Sequence, residues 1–178
     1  MTPDDLKRRF VELAGLSEDP SLWELVNAVK EIPYGRTSDR TPESVVTEWR
    51  GTCSTKHALL AELLADRPEF DLQLFHRVYR VDRASAERLF GPHAASVVPE
   101  EGLVDVHTYA TLDVEGVRVR IDVTFPGEVW DGRSNLHLAC GEGDDYPGGE
   151  DPWKLKASLV EQYCDPAVRE PFIAALGS

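Results

Sequence analysis

The sequence predicts an α+β domain, with helices first, then antiparallel strands, then helices again. Three observations carry that class. Residues 53–65, CSTKHALLAELLA, set an apolar stripe of Leu59, Leu60, Leu63 and Leu64 among alanines, the strongest helix signal in the chain. Residues 105–114 and 117–124 flank Glu115-Gly116 in the pattern of an antiparallel hairpin. A chain of 178 residues, 42% hydrophobic, is the size of one domain with one sizeable core, so residues 1–178 are read as a single unit.

The elements follow in order. Residues 4–14 place Leu6, Phe10 and Leu13 at helical spacing. Ser21 opens a second helix over 22–31, with Glu24 completing a capping box, and Ile32-Pro33 stops it. Residues 34–40 are polar and turn-like. Thr41-Pro42-Glu43 starts a helix that ends near Trp49-Arg50-Gly51. The 53–65 helix stops at Asp66-Arg67-Pro68. Residues 72–81 alternate as a strand and 83–90 suit a short helix, while 91–102 show no clear period. After the hairpin, 126–152 is rich in Gly, Asp and Pro and reads as a long loop. Two helices, about 153–163 and 166–175, close the chain. The N-terminal 31 residues either shield a cleft or complete the core.

Charge narrows the function classes. There are 32 acidic against 19 basic residues, a net charge of −13. That field repels phosphate backbones and anionic lipid, so nucleic acid and membrane are not expected partners. No apolar run approaches the roughly 20 residues of a membrane span, and MTPDDLKRRFVEL lacks a signal-peptide core. A cytoplasmic location is expected. Three cysteines, at 53, 140 and 164, are an odd count in a reducing compartment, which argues against a disulfide framework and for at least one free thiol.

Cys53 stands out. It follows Arg50-Gly51-Thr52 and opens a helix, where unpaired N–H groups and partial positive charge stabilise a thiolate. The same N–H groups suit an oxyanion. Such a nucleophile needs a base and a group to orient it. His107 lies near the start of the first hairpin strand and Asp122 on the second. A turn at 115–116 pairs His107 with a position near 124, within two residues of Asp122. A carboxylate there would hold the imidazole in one tautomer.

The segments RGTCSTKHALLAELL, HTYATLDVEG and IDVTFP together resemble the transglutaminase-like superfamily. Gly51-Thr52-Cys53 matches its Gly-x-Cys context, His107 with Tyr109 its histidine strand, and Asp122-Val123-Thr124 its Asp-x-Thr context. Ile32-Pro33-Tyr34 is similar to an element feeding the cysteine helix. The resemblance spans about residues 32–126. It implies a papain-like core, the Cys-bearing helix packed on an antiparallel sheet, with additional N- and C-terminal helices. It implies Cys53 as nucleophile, His107 as base and Asp122 as its orienter, in acyl transfer or hydrolysis of a peptide-like or small amide substrate through a thioester. No metal or cofactor is implied. Many members carry a tryptophan shortly before the aspartate; Val117, Arg118 and Val119 stand there instead, so the substrate class does not carry over.

Other residues have competing readings. Tyr34, Trp49, Thr52 and Trp130 are candidates for the site wall or for substrate contact, with core packing slightly preferred for Trp49. His57 is expected at the site wall or the surface, His76 and His93 in solvent, and Cys164 in a structural role. Cys53, His57, His137 and Cys140 would make a Cys₂His₂ zinc set, a spacing that arises readily by chance. The acidic loop 142–145 reads as solvated. Two other classes remain: a non-catalytic binding or scaffold module, and a zinc-holding structural domain.

Overall fold

The computed structural model describes residues 1–178. Short polar side chains open the first three helices. Thr2 accepts the Asp5 N–H at the start of α1 (Pro3–Leu13). Ser21 and Glu24 form the expected capping box on α2 (Leu22–Glu31). Thr41 accepts the Ser44 N–H at α3 (Pro42–Glu48), whose first residue is proline. Next comes α4 (Cys53–Leu63), then a 3-10 turn at Pro68–Phe70. No helix is long and apolar enough to cross a membrane.

The sheet has four strands: β1 (Gln73–Val81), β2 (Leu103–Val114), β3 (Val117–Ile121) and β4 (Gly143–Pro147). Their spatial order is β3-β2-β1-β4, every neighbour antiparallel. The hairpin turn puts Glu115 at φ 51 and Gly116 at φ 80, the doubly left-handed turn that suits strand twist. Its register pairs Ala110 with Ile121, in line with the sequence expectation. β3 is shorter than expected and stops at Ile121, so β2 has no partner on that side from Leu103 to Tyr109.

Two elements fall where the sequence shows no signal. A one-turn α6 (Pro92–Ser96) follows α5 (Arg83–Phe90) in the stretch without a period. β4 lies inside the expected long loop. Its residues, GDDYP, have no apolar alternation, because it is an edge strand held by backbone pairing and by Arg77, which donates to both oxygens of Asp145 at 2.7 and 2.8 Å. Gly143 faces Tyr79, and a Cβ there would lie 2.1 Å from the Val78 carbonyl oxygen. Only glycine permits that approach.

The main core joins Leu6, Phe10, Leu25, Val26 and Val29 of α1 and α2 to Leu59, Leu60 and Leu63 of α4 and to Leu112, Val119 and Ile121 of the hairpin. The N-terminal helices therefore complete the core. A second cluster joins Tyr79, Val81 and Leu103 to Ala86, Ala94, Phe172 and Ile173. Phe172 and Ile173 belong to α8 (Pro166–Leu176), which follows α7 (Pro152–Tyr163). Residues 105 to 112 of β2 are buried without interruption, since both faces of this central strand are covered.

Candidate functional site

A tight backbone corner places Cys53. Trp49 ends α3 at φ 50, in the left-handed region. Gly51 then pairs with the Tyr34 segment, donating to Pro33 O at 3.0 Å and accepting from the Gly35 N–H at 3.1 Å. A Cβ on Gly51 would lie 2.7 Å from Lys56 Cγ and 3.0 Å from Thr55 Oγ1, so the position is closed to any side chain. Thr52 is the N-cap, its own N–H donating to Thr55 Oγ1 at 2.9 Å. Cys53 is the first helical residue, partly exposed, with the Cys53 N–H free of any intrahelical acceptor.

His107 and Asp122 meet beside it. His107 Nε2 lies 2.7 Å from Asp122 Oδ2, both side chains almost wholly buried. Because Nε2 faces the carboxylate, the Nδ1 edge is left for Cys53, and the two residues line the same small cavity. β3 ends before Asp122, which frees the chain to turn this carboxylate inward. Asp122 also accepts from Thr124 N–H at 3.0 Å, Thr124 Oγ1 at 2.5 Å and the Ala139 N–H at 2.8 Å. Burial alone would raise its pKa, but the His107 charge and hydrogen bond outweigh that and hold it well below the usual carboxylate range. Burial works against the His107 imidazolium too, yet the Asp122 carboxylate raises its pKa well above the ordinary value.

A fourth group arrives from α7. Lys156, 8% exposed, donates to Cys53 Sγ at 3.3 Å, Ser54 Oγ at 2.6 Å and Thr108 Oγ1 at 2.8 Å. Burial pushes the Cys53 thiol up, but the Lys156 charge, followed by the neighbouring His107 imidazolium, brings it down to about 6. Thr108 lies 3.0 Å from His76 Nδ1, and His76 Nε2 lies 2.6 Å from the Pro152 carbonyl. Burial lowers His76 to about 4, so the ring is neutral. With Nε2 donating to Pro152, Nδ1 accepts the Thr108 hydroxyl, whose oxygen is left to accept from Lys156. His76 is thus fully buried rather than in solvent, placed there by the packing of α7 over β1 and β2.

Two further groups brace the cysteine helix. His57 is fully buried, not at the surface: its Nδ1 donates to Cys53 O at 2.7 Å and its Nε2 accepts the Val123 N–H at 3.2 Å. Burial lowers its pKa to about 4, so it is a neutral clamp between α4 and the segment after β3. Lys56, wholly buried, donates to Lys30 O at 2.9 Å, Ile32 O at 2.5 Å and Thr124 O at 3.0 Å. Burial brings it down to about 7.

A cavity of about 400 Å³ opens onto Cys53. Tyr34, Thr52 and Ser54 line one side, Trp153, Lys156 and Val160 another. Tyr34 borders both this cavity and the small one at His107, its ring stacked on Phe125 at 5.0 Å. Trp49 and Trp130 border neither cavity. Trp49 stacks on Phe10 at 5.9 Å, and Trp130 is 1% exposed in the main core, its Nε1 donating to Ser134 O. Trp130 is a core residue, and Trp49, partly buried, packs against the same core. His93 is exposed. His137 is exposed and paired with Glu128 at 2.9 Å, and no group of three or more His, Cys, Asp or Glu side chains is arranged to hold a metal ion. All three cysteines are free thiols; burial raises Cys140 and takes Cys164 to about 11.

Sequence reasoning missed Lys156. A signal was present: Trp153, Lys156 and Val160 fall on one helical stripe, and a lysine interrupting an apolar stripe needs a partner. Comparison with protein-family models, curated proteins and solved structures finds no match for this chain.

Proposed function

We propose that this chain is a thiol-dependent acyl-transfer enzyme of the transglutaminase-like, papain-like kind, acting on an amide of peptide-like character. The observation that carries the reading is Cys53 at the first position of α4, beside an imidazole whose far nitrogen lies 2.7 Å from a buried carboxylate. The Cys53 thiolate attacks the substrate carbonyl and forms a C–S bond. The His107 imidazolium gives its proton to the departing amine as the C–N bond breaks. His107, now neutral, takes a proton from the acceptor, water or a second amine, which displaces the thiolate. Asp122 keeps Nε2 engaged, which leaves Nδ1 as the nitrogen that serves the sulfur across the cavity they share.

The test is the pH dependence of iodoacetamide alkylation, read by mass spectrometry at all three cysteines, in the wild type and in His107→Ala. Cys53 is expected to react with a midpoint near 6, well below Cys140 and Cys164. His107→Ala should raise that midpoint. If Cys53 titrates like the other two, the catalytic reading fails and a binding or scaffold module takes its place.

A further inference from the structure

We propose that Lys156 is a catalytic residue of this site, its ammonium balancing the Cys53 thiolate before attack and the carbonyl oxyanion after it. The inference rests on the acyl-transfer reading above. Lys156 has no carboxylate partner: its three contacts are a sulfur and two hydroxyl oxygens. A cation this buried needs negative charge, and among its direct contacts only the Cys53 sulfur can supply it, as the thiolate. When Cys53 Sγ bonds to a carbonyl carbon, the charge leaves the sulfur for an oxygen two bonds away. Nζ, 3.3 Å from Sγ, is within reach of that oxygen, which the Cys53 N–H approaches from the helix end.

The position is also held firmly. Ser54 and Thr108 fix the ammonium from α4 and from β2, and neutral His76 keeps the Thr108 oxygen available as an acceptor. Lys156 borders the 400 Å³ cavity, so a substrate reaching Cys53 from that side passes the ammonium. Preorganised donors of this kind cost no rearrangement when the charge moves.

The experiment compares two reagents at Cys53. p-Nitrophenyl acetate acylates the thiolate: the C–S bond forms through a tetrahedral oxyanion and p-nitrophenolate leaves. Iodoacetamide alkylates the same thiolate by displacing iodide, with no oxyanion. Both reactions consume one species, so the ratio of their rates is independent of the ionised fraction. Lys156→Met should raise the alkylation midpoint and lower the acylation-to-alkylation ratio by about a hundredfold. Lys156→Arg should keep the midpoint low and recover most of the ratio. If Lys156→Met fails to fold, Lys156→Gln serves in its place with the same loss expected. An unchanged ratio, with the midpoint shifted or not, overturns the oxyanion role while the triad stands. A wild-type Cys53 inert to both reagents overturns the triad and this role together.

Discussion

Asp122 is the side chain on which most of the site's order depends. It accepts from four donors: His107, the backbone and hydroxyl of Thr124, and the Ala139 N–H. Asp122→Asn presents an NH₂ group to partners that all donate, and it removes the charge that sustains the imidazolium. Turnover, measured with the acyl ester above, should fall by about 10³–10⁴-fold, mostly in kcat. Gly51→Ala tests the corner before Cys53. The added methyl meets Lys56 Cγ at 2.7 Å, and Lys56 is itself pinned by three carbonyls, so it yields poorly. A loss of about 1–3 kcal/mol is expected in urea denaturation. Cys53, His107 and Asp122 were legible in the sequence because each lies in a local pattern, a helix opening or a hairpin. Lys156 showed only as a lysine on an apolar helical stripe; its partners were not readable, since its contacts cross 102 and 103 positions to reach Ser54 and Cys53.

Among the elements, α4 and the end of β3 must keep a fixed distance, and His57 sets it. The ring spans from the Cys53 carbonyl to the Val123 N–H. His57→Ala leaves that N–H buried without an acceptor and opens a void in a fully packed place. It should cost about 2–4 kcal/mol by chemical denaturation. It should also loosen the geometry at Cys53, seen as slower acylation at constant thiolate fraction. The helices and the hairpin were readable because their apolar periods face a core. Elements stabilised otherwise were not: β4 relies on backbone pairing and the Arg77–Asp145 ion pair, and α6 is a single turn carrying only Ala94 and Ala95 inward. The early end of β3 was hidden for a related reason. Arg118, Arg120 and Asp122 continue one alternation, yet both arginines are exposed and Asp122 is 2% exposed, because the ladder ends between them.

The whole molecule should be acid-sensitive in a defined window. His57 and His76 are each held to about 4 by burial, against 6.5 for an ordinary histidine. Between those values the unfolded chain binds protons that the folded chain refuses, so stability rises with pH from about 4 to about 6.5. Each ring contributes on the order of 3 kcal/mol across that range. Below about 4 the loss continues, as Asp122 is protonated in the unfolded chain and stays ionised in the folded one. Cys53 and His107 largely offset each other above 6.5. The folded pair holds one proton on His107, and the unfolded pair holds one on Cys53. Urea midpoints measured from pH 4 to 8 should climb steeply to about 6.5 and more gently from about 7 to 8, where folded Lys56 has given up a proton that the unfolded chain keeps; His76→Gln should flatten the steep part. A flat profile in the wild type would mean that the two rings are charged in the folded state.

Lys156 lies 103 residues after the cysteine it touches, on the seventh of eight helices. As the chain leaves the ribosome, α4 and the whole hairpin with Asp122 are made before Lys156 exists. Until α7 docks, the sulfur has lost the stronger of its two cationic neighbours, and its pKa sits nearer that of a plain thiol. On the acyl-transfer reading proposed above, a nascent or half-folded copy carries a quiet cysteine, less prone to stray acylation or oxidation than the finished molecule. The reactive sulfur would then arise late in folding, its appearance marking a chain in which α7 has closed over the sheet.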